Sequence, residues 1–273
     1  MRIQVVGVSG YSVEGLLSAI SRLYRREPLP PHFYLVYDLI YEQENVDVVI
    51  ELAQDGEIGS YVLVWKYGRG GVVHVWGDKG PELLQHVSPD ITKPHIVELY
   101  SVREEFIERV SSFLLSAGFK EVEVKRFHDM ICTEEVFKPS ANEHITVRLN
   151  PSYAEIFAEF VRRRGEEITL EEAREKLTKR AYYGVLVGDK LASAGAVCAK
   201  LPEMGLICDV YTGEEFRGRG YATAVTSAAT RKVVSSGATA FLCVEEGNEL
   251  AIRIYKKLGY SILRTRPWIV AKP

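Results

Sequence analysis

Two short runs of this sequence carry residue types whose spacing implies chemistry. The first, residues 207–222, reads I-C-D-V-Y-T-G-E-E-F-R-G-R-G-Y-A. Its opening residues are β-branched, aromatic or small with no helical period, the pattern of a strand. Gly213 breaks the strand, and the alanine-rich run after Ala222 reads as a helix to residue 235. A strand, a glycine loop and a helix start make an anion site. Successive main-chain N–H groups point outward unpaired there, and the helix dipole adds partial positive charge. Gly218 and Gly220 let the backbone approach a bulky phosphate with no Cβ in the way. Arg217 and Arg219 can add charge-assisted hydrogen bonds.

Three kinds of loop share these features. A P-loop needs a Lys-Ser/Thr pair after its last glycine, and neither residue type stands there. A dinucleotide fingerprint needs Gly-x-Gly-x-x-Gly; Gly218 and Gly220 fit, but Thr223 occupies the third position, and the expected acidic ribose partner is missing around residues 238–241. The third pattern, Arg-x-x-Gly-x-Ala, is met by Arg217, Gly220 and Ala222. It resembles the pyrophosphate loop of the GNAT acyl-CoA-dependent N-acyltransferases.

The second run, residues 245–260, reads E-E-G-N-E-L-A-I-R-I-Y-K-K-L-G-Y. Asn248 is a natural N-cap and Gly259 a natural C-terminal stop, so the helix between them is bounded by local chemistry. Ala251 and Tyr255 are four residues apart and share one face. Asn-x-x-Ala-x-x-x-Tyr followed by Leu-Gly-Tyr is similar to the second GNAT hallmark, at the usual distance from the first. The resemblance spans residues 145–265 and implies a set of roles. Main-chain groups of Val210, Tyr211 and Thr212 would bind the acyl carbonyl and the pantetheine arm. The amides of Arg217, Gly218, Arg219, Gly220, Tyr221 and Ala222 would hold the pyrophosphate, with Asn248 and Ala251 beside the pantetheine. Tyr255 stands where the family keeps a phenol near the thioester sulfur. A thiol pKa of about 8.5 lies below a phenol's of about 10, so Tyr255 is expected to act as a hydrogen-bond donor to the developing thiolate.

An amine attacking a thioester must also lose a proton. Asp209 and Tyr211 share one face of their strand, and Glu245 and Glu246 end the next one. Asp209 is the first candidate base and Glu245 the second. The glutamate that some relatives use falls where this chain has Met204-Gly205-Leu206, so that role does not transfer.

The elements that must position these groups follow from the whole chain. Its 273 residues, 47% hydrophobic and 26% charged, suit one large or two modest soluble domains. No stretch has the apolar length of a membrane span, and the start lacks a signal-peptide pattern, so a cytoplasmic location is expected. Residues 1–140 hold 14 basic against 21 acidic side chains (−7), and residues 141–273 hold 20 against 16 (+4). The half with the glycine loop is the basic half, as an anionic cofactor favours, but the contrast is too small for nucleic acid. Cys132, Cys198, Cys208 and Cys243 form no C-x-x-C pair and are expected as buried, reduced thiols. The six histidines form no i, i+4 pair, and no metal site is expected.

In order, residues 13–26 have a helical apolar stripe ended by Pro28, Pro30 and Pro31. Strands are expected at 32–41, 46–53, 61–67 and 72–76 as an antiparallel meander, with a turn at 68–71. A short helix at 81–86, a strand at 95–100, a helix at 102–117 and a strand at 119–132 follow. Residues 137–144 read as a linker, and Arg162-Arg163-Arg164 as a solvated helix end. Thr169 and Glu172 form a capping box for a helix at 170–180. Strands at 182–187 and 191–199 form a hairpin leading into the glycine-loop strand. This order implies an α/β (α+β) chain of two GNAT-like domains, 1–140 and 141–273, each a mixed, mostly antiparallel twisted sheet flanked by helices. The layout is similar to the glycine N-acyltransferase-like group, with a degenerate first domain. Gly77-Asp78-Lys79-Gly80-Pro81 takes the loop position there without the arginine–glycine pattern. The implied activity is transfer of an acyl group, foremost acetyl, from coenzyme A to a primary amine. A small-molecule acceptor is favoured over a protein N-terminus or lysine. A non-catalytic acyl-CoA sensor and a nucleotide-binding protein are the rivals.

Overall fold

The computed structural model describes residues 2–6, 12–26, 30–67 and 70–273, so Pro28 and residues 68 and 69 of the expected turn lie outside the described residues. The chain divides into two compact units, residues 1–128 with 265–273, and residues 129–264. These bounds differ from 1–140 and 141–273. The reason is a strand at the C-terminus, β12 (Ser261–Lys272), whose second half pairs with β5 (His95–Leu99) from Trp268↔Glu98 to Ala271↔His95.

In the first unit β1 (Arg2–Val6) lies parallel to β2 (Val46–Leu52), which continues antiparallel into β3 (Ile58–Tyr67) and β4 (Gly70–Gly77). A parallel β1–β2 pair needs a crossover. Helices α1 (Val13–Arg26) and α2 (Pro30–Tyr41) supply it. Residues 32–41 are therefore helical, where a strand was expected. The run is apolar almost all round, so its period could not decide between strand and helix. His32, Phe33, Leu35 and Asp38 are the buried residues, and Ile40 and Tyr41 are exposed. Leu16, Ala19, Ile20 and Leu23 of α1 pack with Leu35 on Val46, Val48 and Ile50 of β2. The helix α3 (Gly80–Leu83) has four residues, and α4 (Glu104–Ala117) covers β4 and β5 through Phe113, Val110 and Leu114. Arg266 of β12 is 1% exposed and donates from Nη2 to Glu98 Oε2 at 2.7 Å. Burial alone would raise the Glu98 carboxyl, but Arg266 and His74 outweigh it and hold it down to about 2.

In the second unit the strand order is β6–β11–β10–β9–β8–β7. The members are the end of β6 (Glu121–Cys132) from Asp129 onward, β7 (Val147–Leu149), β8 (Ala181–Val187), β9 (Lys190–Lys200), β10 (Met204–Thr212) and β11 (Thr239–Glu245). Helices α5 (Ala154–Arg163) and α6 (Leu170–Lys179) pack on one face through Phe157, Phe160, Val161, Ala173 and Leu177. Helices α7 (Tyr221–Val234) and α8 (Glu249–Lys257) pack on the other through Ala229, Val233, Ile252 and Tyr255. The expected linker is folded: Ser140 N–H donates to Ser227 Oγ at 2.9 Å, and both Ser227 and Arg231 donate to the Glu143 carboxylate. No helix among the described residues is long and apolar enough to cross a membrane.

Candidate active site

The two units treat the corresponding parallel strand pair differently. In the first, β4 and β5 stay paired from Gly71↔His95 to Val75↔Leu99, and Tyr100 N–H extends the ladder to Val75 O at 3.1 Å. In the second, β10 and β11 pair only from Met204↔Thr239 to Leu206↔Phe241. Beyond Leu206 the edge of β10 that faces β11 has no ladder. The loops that follow differ in the same sense. A Cβ on Gly77 would lie 2.3 Å from Gly59 O, whereas one on Gly218 would meet nothing within 4 Å. The first loop is packed against β3, and the second is open.

The β10 strand carries a bulge. Cys208↔Ala196 is followed by Tyr211↔Ala194, so β10 holds one residue more than β9. Asp209 takes the left-handed conformation there, φ +53°, at a cost of about 1–2 kcal/mol for a residue with a Cβ. The extra residue puts Cys208 and Asp209 in succession on the α5/α6 face. Val210 packs on the other face with Val185, Ala224, Val225 and Tyr221. Thr212 Oγ1 is hydrogen-bonded to Ser193 Oγ at 2.8 Å. Tyr211 turns its ring to Phe160, centroids 5.6 Å apart, and its carbonyl accepts from Ser193 Oγ on β9 at 3.0 Å.

A single 3-10 turn, Glu214–Phe216, then leads to the glycine loop. Gly218 and Gly220 both have φ +78°, a region that admits glycine freely. Arg217 N–H donates to Glu214 O at 3.2 Å, but no donation by the N–H groups of Gly218 to Thr223 occurs among the described residues. Gly220 caps α7 without a side chain, so these orphan donors face outward. Arg217 pairs with Glu214 at 3.4 Å, and Arg219 reaches Glu215 O at 3.5 Å. Ala224 and Ala229 of α7 are fully buried against the sheet, small enough to bring the helix start close to β10.

On α8, Asn248 accepts from Ala251 N–H at 3.2 Å, the expected N-cap bond. That bond uses Oδ1 and leaves the amide nitrogen to other partners. Ala251 and Tyr255 pack into the core of their face. Tyr255 is 8% exposed, and burial pushes its phenol up to about 12. Its hydroxyl makes no hydrogen bond among the described residues, in contrast to Tyr260, which shares one with Thr230 at 2.7 Å. Tyr255 is thus a protonated donor held in an apolar wall. Glu245 lies exposed at the end of β11, and its carbonyl accepts from Asn248 N–H at 2.9 Å.

Asp209 is the most heavily engaged of the expected residues. Tyr182 Oη donates to it, Arg180 Nη1 lies 3.4 Å and Arg164 Nη2 3.9 Å away. Burial raises its pKa, but the Tyr182 bond and the charges of Arg180, Arg164 and Lys176 outweigh it and hold the carboxyl below its usual range. The bonds that keep Asp209 ionised also make it a weak proton acceptor. Phe157, Phe160 and Val161 wall this cluster. Arg164, Lys176, Arg180 and Tyr182 were not anticipated as site residues, because each is remote in sequence from Asp209. The arginine run of α5 is not merely a solvated end. Arg162 donates to Ile168 O at 3.0 Å, Arg163 pairs with Glu215 at 3.3 Å, and Arg164 faces Asp209.

The cysteines also depart from expectation. Cys198 on β9 and Cys208 on β10 are joined as a disulfide with Cα atoms 5.9 Å apart. Between Leu206↔Ala199 and Ile207↔Val197 the register skips Cys198, and this second irregularity brings the two sulfurs to the same face. Cys132 and Cys243 take no part in a disulfide. The sulfurs of the pair and an Asp209 oxygen lie within 4.8 Å of one another, a donor set that the cysteine spacing did not suggest.

Residues 182–269 match the family model described as FR47-like protein. No curated protein matches the chain. Among solved structures the chain is similar to a Drosophila protein, with TM-score 0.65 and 16% identity over 95% of this chain and 89% of that one. It is similar to a GCN5-related N-acetyltransferase-like protein from Streptococcus suis, with TM-score 0.60 and 14% identity over 94% of this chain and 100% of that one. A tandem GNAT protein from the clavulanic acid biosynthesis pathway gives TM-score 0.57 and 12% identity over 95% and 94%. At these identities the likeness concerns the fold.

Proposed function

We propose that this chain, a GNAT-fold protein whose residues 182–269 are FR47-like, is an N-acyltransferase that moves an acyl group, foremost acetyl, from coenzyme A to a primary amine. The observation that carries this reading is the parting of β10 from β11 after Leu206↔Phe241, beside a loop with unpaired N–H groups. Coenzyme A fits what is present. Its diphosphate is an acceptor-only group suited to the donors of residues 217–222, and the bare Gly218 leaves the approach open. Acyl-CoA supplies an activated thioester, and the remaining work falls to this chain's residues.

The main-chain N–H groups of Val210 and Thr212 are assigned to the acyl carbonyl and the pantetheine arm. Preorganised donors at a position where negative charge develops lower the barrier without reorganisation. Tyr255 is assigned as the donor to the departing sulfur, since burial keeps its proton in place far above neutral pH. Asn248 and Ala251 would line the arm. Asp209, ionised and triply engaged, suits an electrostatic role toward an attacking amine better than outright proton removal. Glu245, exposed at the strand end, is the alternative acceptor of that proton.

A small-molecule amine is the favoured acceptor, and a protein N-terminus or lysine the second. The first unit is assigned no cofactor, because its strand pair stays zipped and its loop is filled. The test is to incubate the chain with acetyl-CoA and a panel of small amines and peptides and to follow free thiol. Turnover with at least one amine supports the reading. Tight coenzyme A binding without turnover on any amine would make the protein an acyl-CoA sensor. Greater thermal stabilisation by ATP or NAD than by coenzyme A would sink the assignment altogether.

A further inference from the structure

We infer that the Cys198–Cys208 bridge is a thiol–disulfide exchange site, with Cys198 as the leaving sulfur and Arg180 as the group that stabilises it. Arg180 Nη1 lies 3.6 Å from Cys198 Sγ and 3.4 Å from Asp209 Oδ2, so one guanidinium serves a sulfur and a carboxylate together. A guanidinium beside a sulfur favours its thiolate, and a better-stabilised thiolate leaves faster. Arg164 and Lys176 add to the positive surroundings through Asp209.

The backbone is arranged to let the bond open. The β9–β10 register is irregular on both sides of Cys208, between Leu206 and Ile207 and again between Cys208 and Tyr211. Ladder bonds already interrupted at both places need not be broken when the sulfurs part. Accessibility separates this pair from Cys132, and a hydrogen bond to a buried carboxylate separates it from Cys243, which is also half-buried. Cys198 and Cys208 are half-buried, whereas Cys132 is 1% exposed and its thiol is pushed up to about 11 by burial. Cys243 donates to the fully buried Asp129 at 3.2 Å.

The step balances with a low-molecular-weight thiol as reductant. Its thiolate attacks Cys208 Sγ, the bond to Cys198 breaks, and the electron pair leaves on Cys198 Sγ beside Arg180. A second thiolate attacks the small-molecule sulfur of the mixed disulfide and releases Cys208. Two small thiols become one small disulfide, and their protons pass to the two protein sulfurs or to solvent. A Cys198 thiolate then competes with Asp209 for Arg180, which loosens the carboxylate held at the bulge. Cys198, Cys208 and Asp209 could also be taken for a cation site, but Arg180, Arg164 and Lys176 disfavour a dication there.

The inference stands on β9–β10 geometry and is read without any acyl-CoA, so it can fail or hold independently of the proposed function. The full chain is equilibrated with graded ratios of reduced to oxidised glutathione, quenched with acid, denatured, alkylated and weighed. The expected result is a stepwise passage from two to four alkylated cysteines in the native protein. Arg180→Met should slow reduction by about threefold or more, with Arg180→Lys close to wild type and the oxidised proteins melting alike. Three results would overturn the inference. One is a bond that yields only to denaturant, and another is equal reduction rates in wild type and Arg180→Met. The third is stoichiometric zinc held by the reduced chain and lost in Cys198→Ser.

Discussion

Tyr182 on β8 donates its phenolic hydrogen to the carboxylate of Asp209 on β10, across the intervening strand β9. The bond spans the sheet because the bulge at Asp209 swings its side chain toward α5 and α6. Burial and the Asp209 charge together push the Tyr182 phenol far above its usual value, so the proton stays on the tyrosine. Asp209→Asn removes the carboxylate charge that faces both Arg164 and Arg180 in a partly desolvated place, although Arg164 keeps Glu166 at 2.6 Å. The expected loss is about 2–3 kcal/mol in urea unfolding. Because the folded-state pKa of Asp209 is lowered, its contribution is present above the unfolded value of about 3.9 and is lost as pH falls through the lower folded value. The wild type and the Asn variant should therefore converge in stability at strongly acid pH. A gap that persists there would show that the carboxylate's charge is not what stabilises the cluster.

Tyr255→Phe tests the donor to the leaving sulfur. The hydroxyl has no partner among the described residues, so stability should change by less than about 1 kcal/mol. The turnover number should fall by about 10²-fold with KM nearly unchanged. Burial holds the phenol to about 12, so the wild-type rate should show no decline assignable to Tyr255 between neutral and mildly alkaline pH. An unchanged turnover number in the Phe variant would remove Tyr255 from the chemistry.

Gly218→Ala separates backbone strain from ligand exclusion. The new Cβ meets nothing within 4 Å, so the only folding penalty is the positive φ, about 1–2 kcal/mol. Calorimetric affinity for coenzyme A should fall by about tenfold, more than strain alone explains if the diphosphate lies against this loop. Replacing Arg217 and Arg219 with alanine should cost a few-fold at low salt and little at high salt, since exposed charges are screened.

The first unit holds its own titratable group. Asp38 on α2 is 6% exposed, and burial, aided by Glu42 and Glu98, raises its carboxyl to about 8. A raised folded-state pKa means that stability is full below the unfolded value, about 3.9, and is lost as pH climbs toward 8. At about 1.4 kcal/mol per unit the loss is several kcal/mol at most. Asp38→Asn should match the wild type near pH 4 and exceed it near pH 8 in thermal melts. Parallel curves across that range would show that Asp38 ionises without cost.

Much of the local structure at the candidate site was legible before any coordinates. The glycine loop, the Asn248 cap, the Thr169–Glu172 capping box and the bounds of α8 rest on chemistry that acts within three or four residues. Such signals survive in the sequence because chain proximity alone brings the partners together. Residues 32–41 misled because an apolar run without period is compatible with either regular structure, and the parallel pairing of β1 with β2 demanded the helix.

What the sequence determined by itself was the order of most elements outside residues 32–41, the glycine loop and the capped helix that carries Tyr255, all set by local backbone preference and side-chain spacing. The tertiary structure alone decided that β12 completes the first unit, that Asp209 is clasped by Tyr182, Arg180 and Arg164, and that Cys198 meets Cys208. Those outcomes depend on strand register. A single inserted residue moves every following side chain to the opposite face, and no local composition records where that slip occurs.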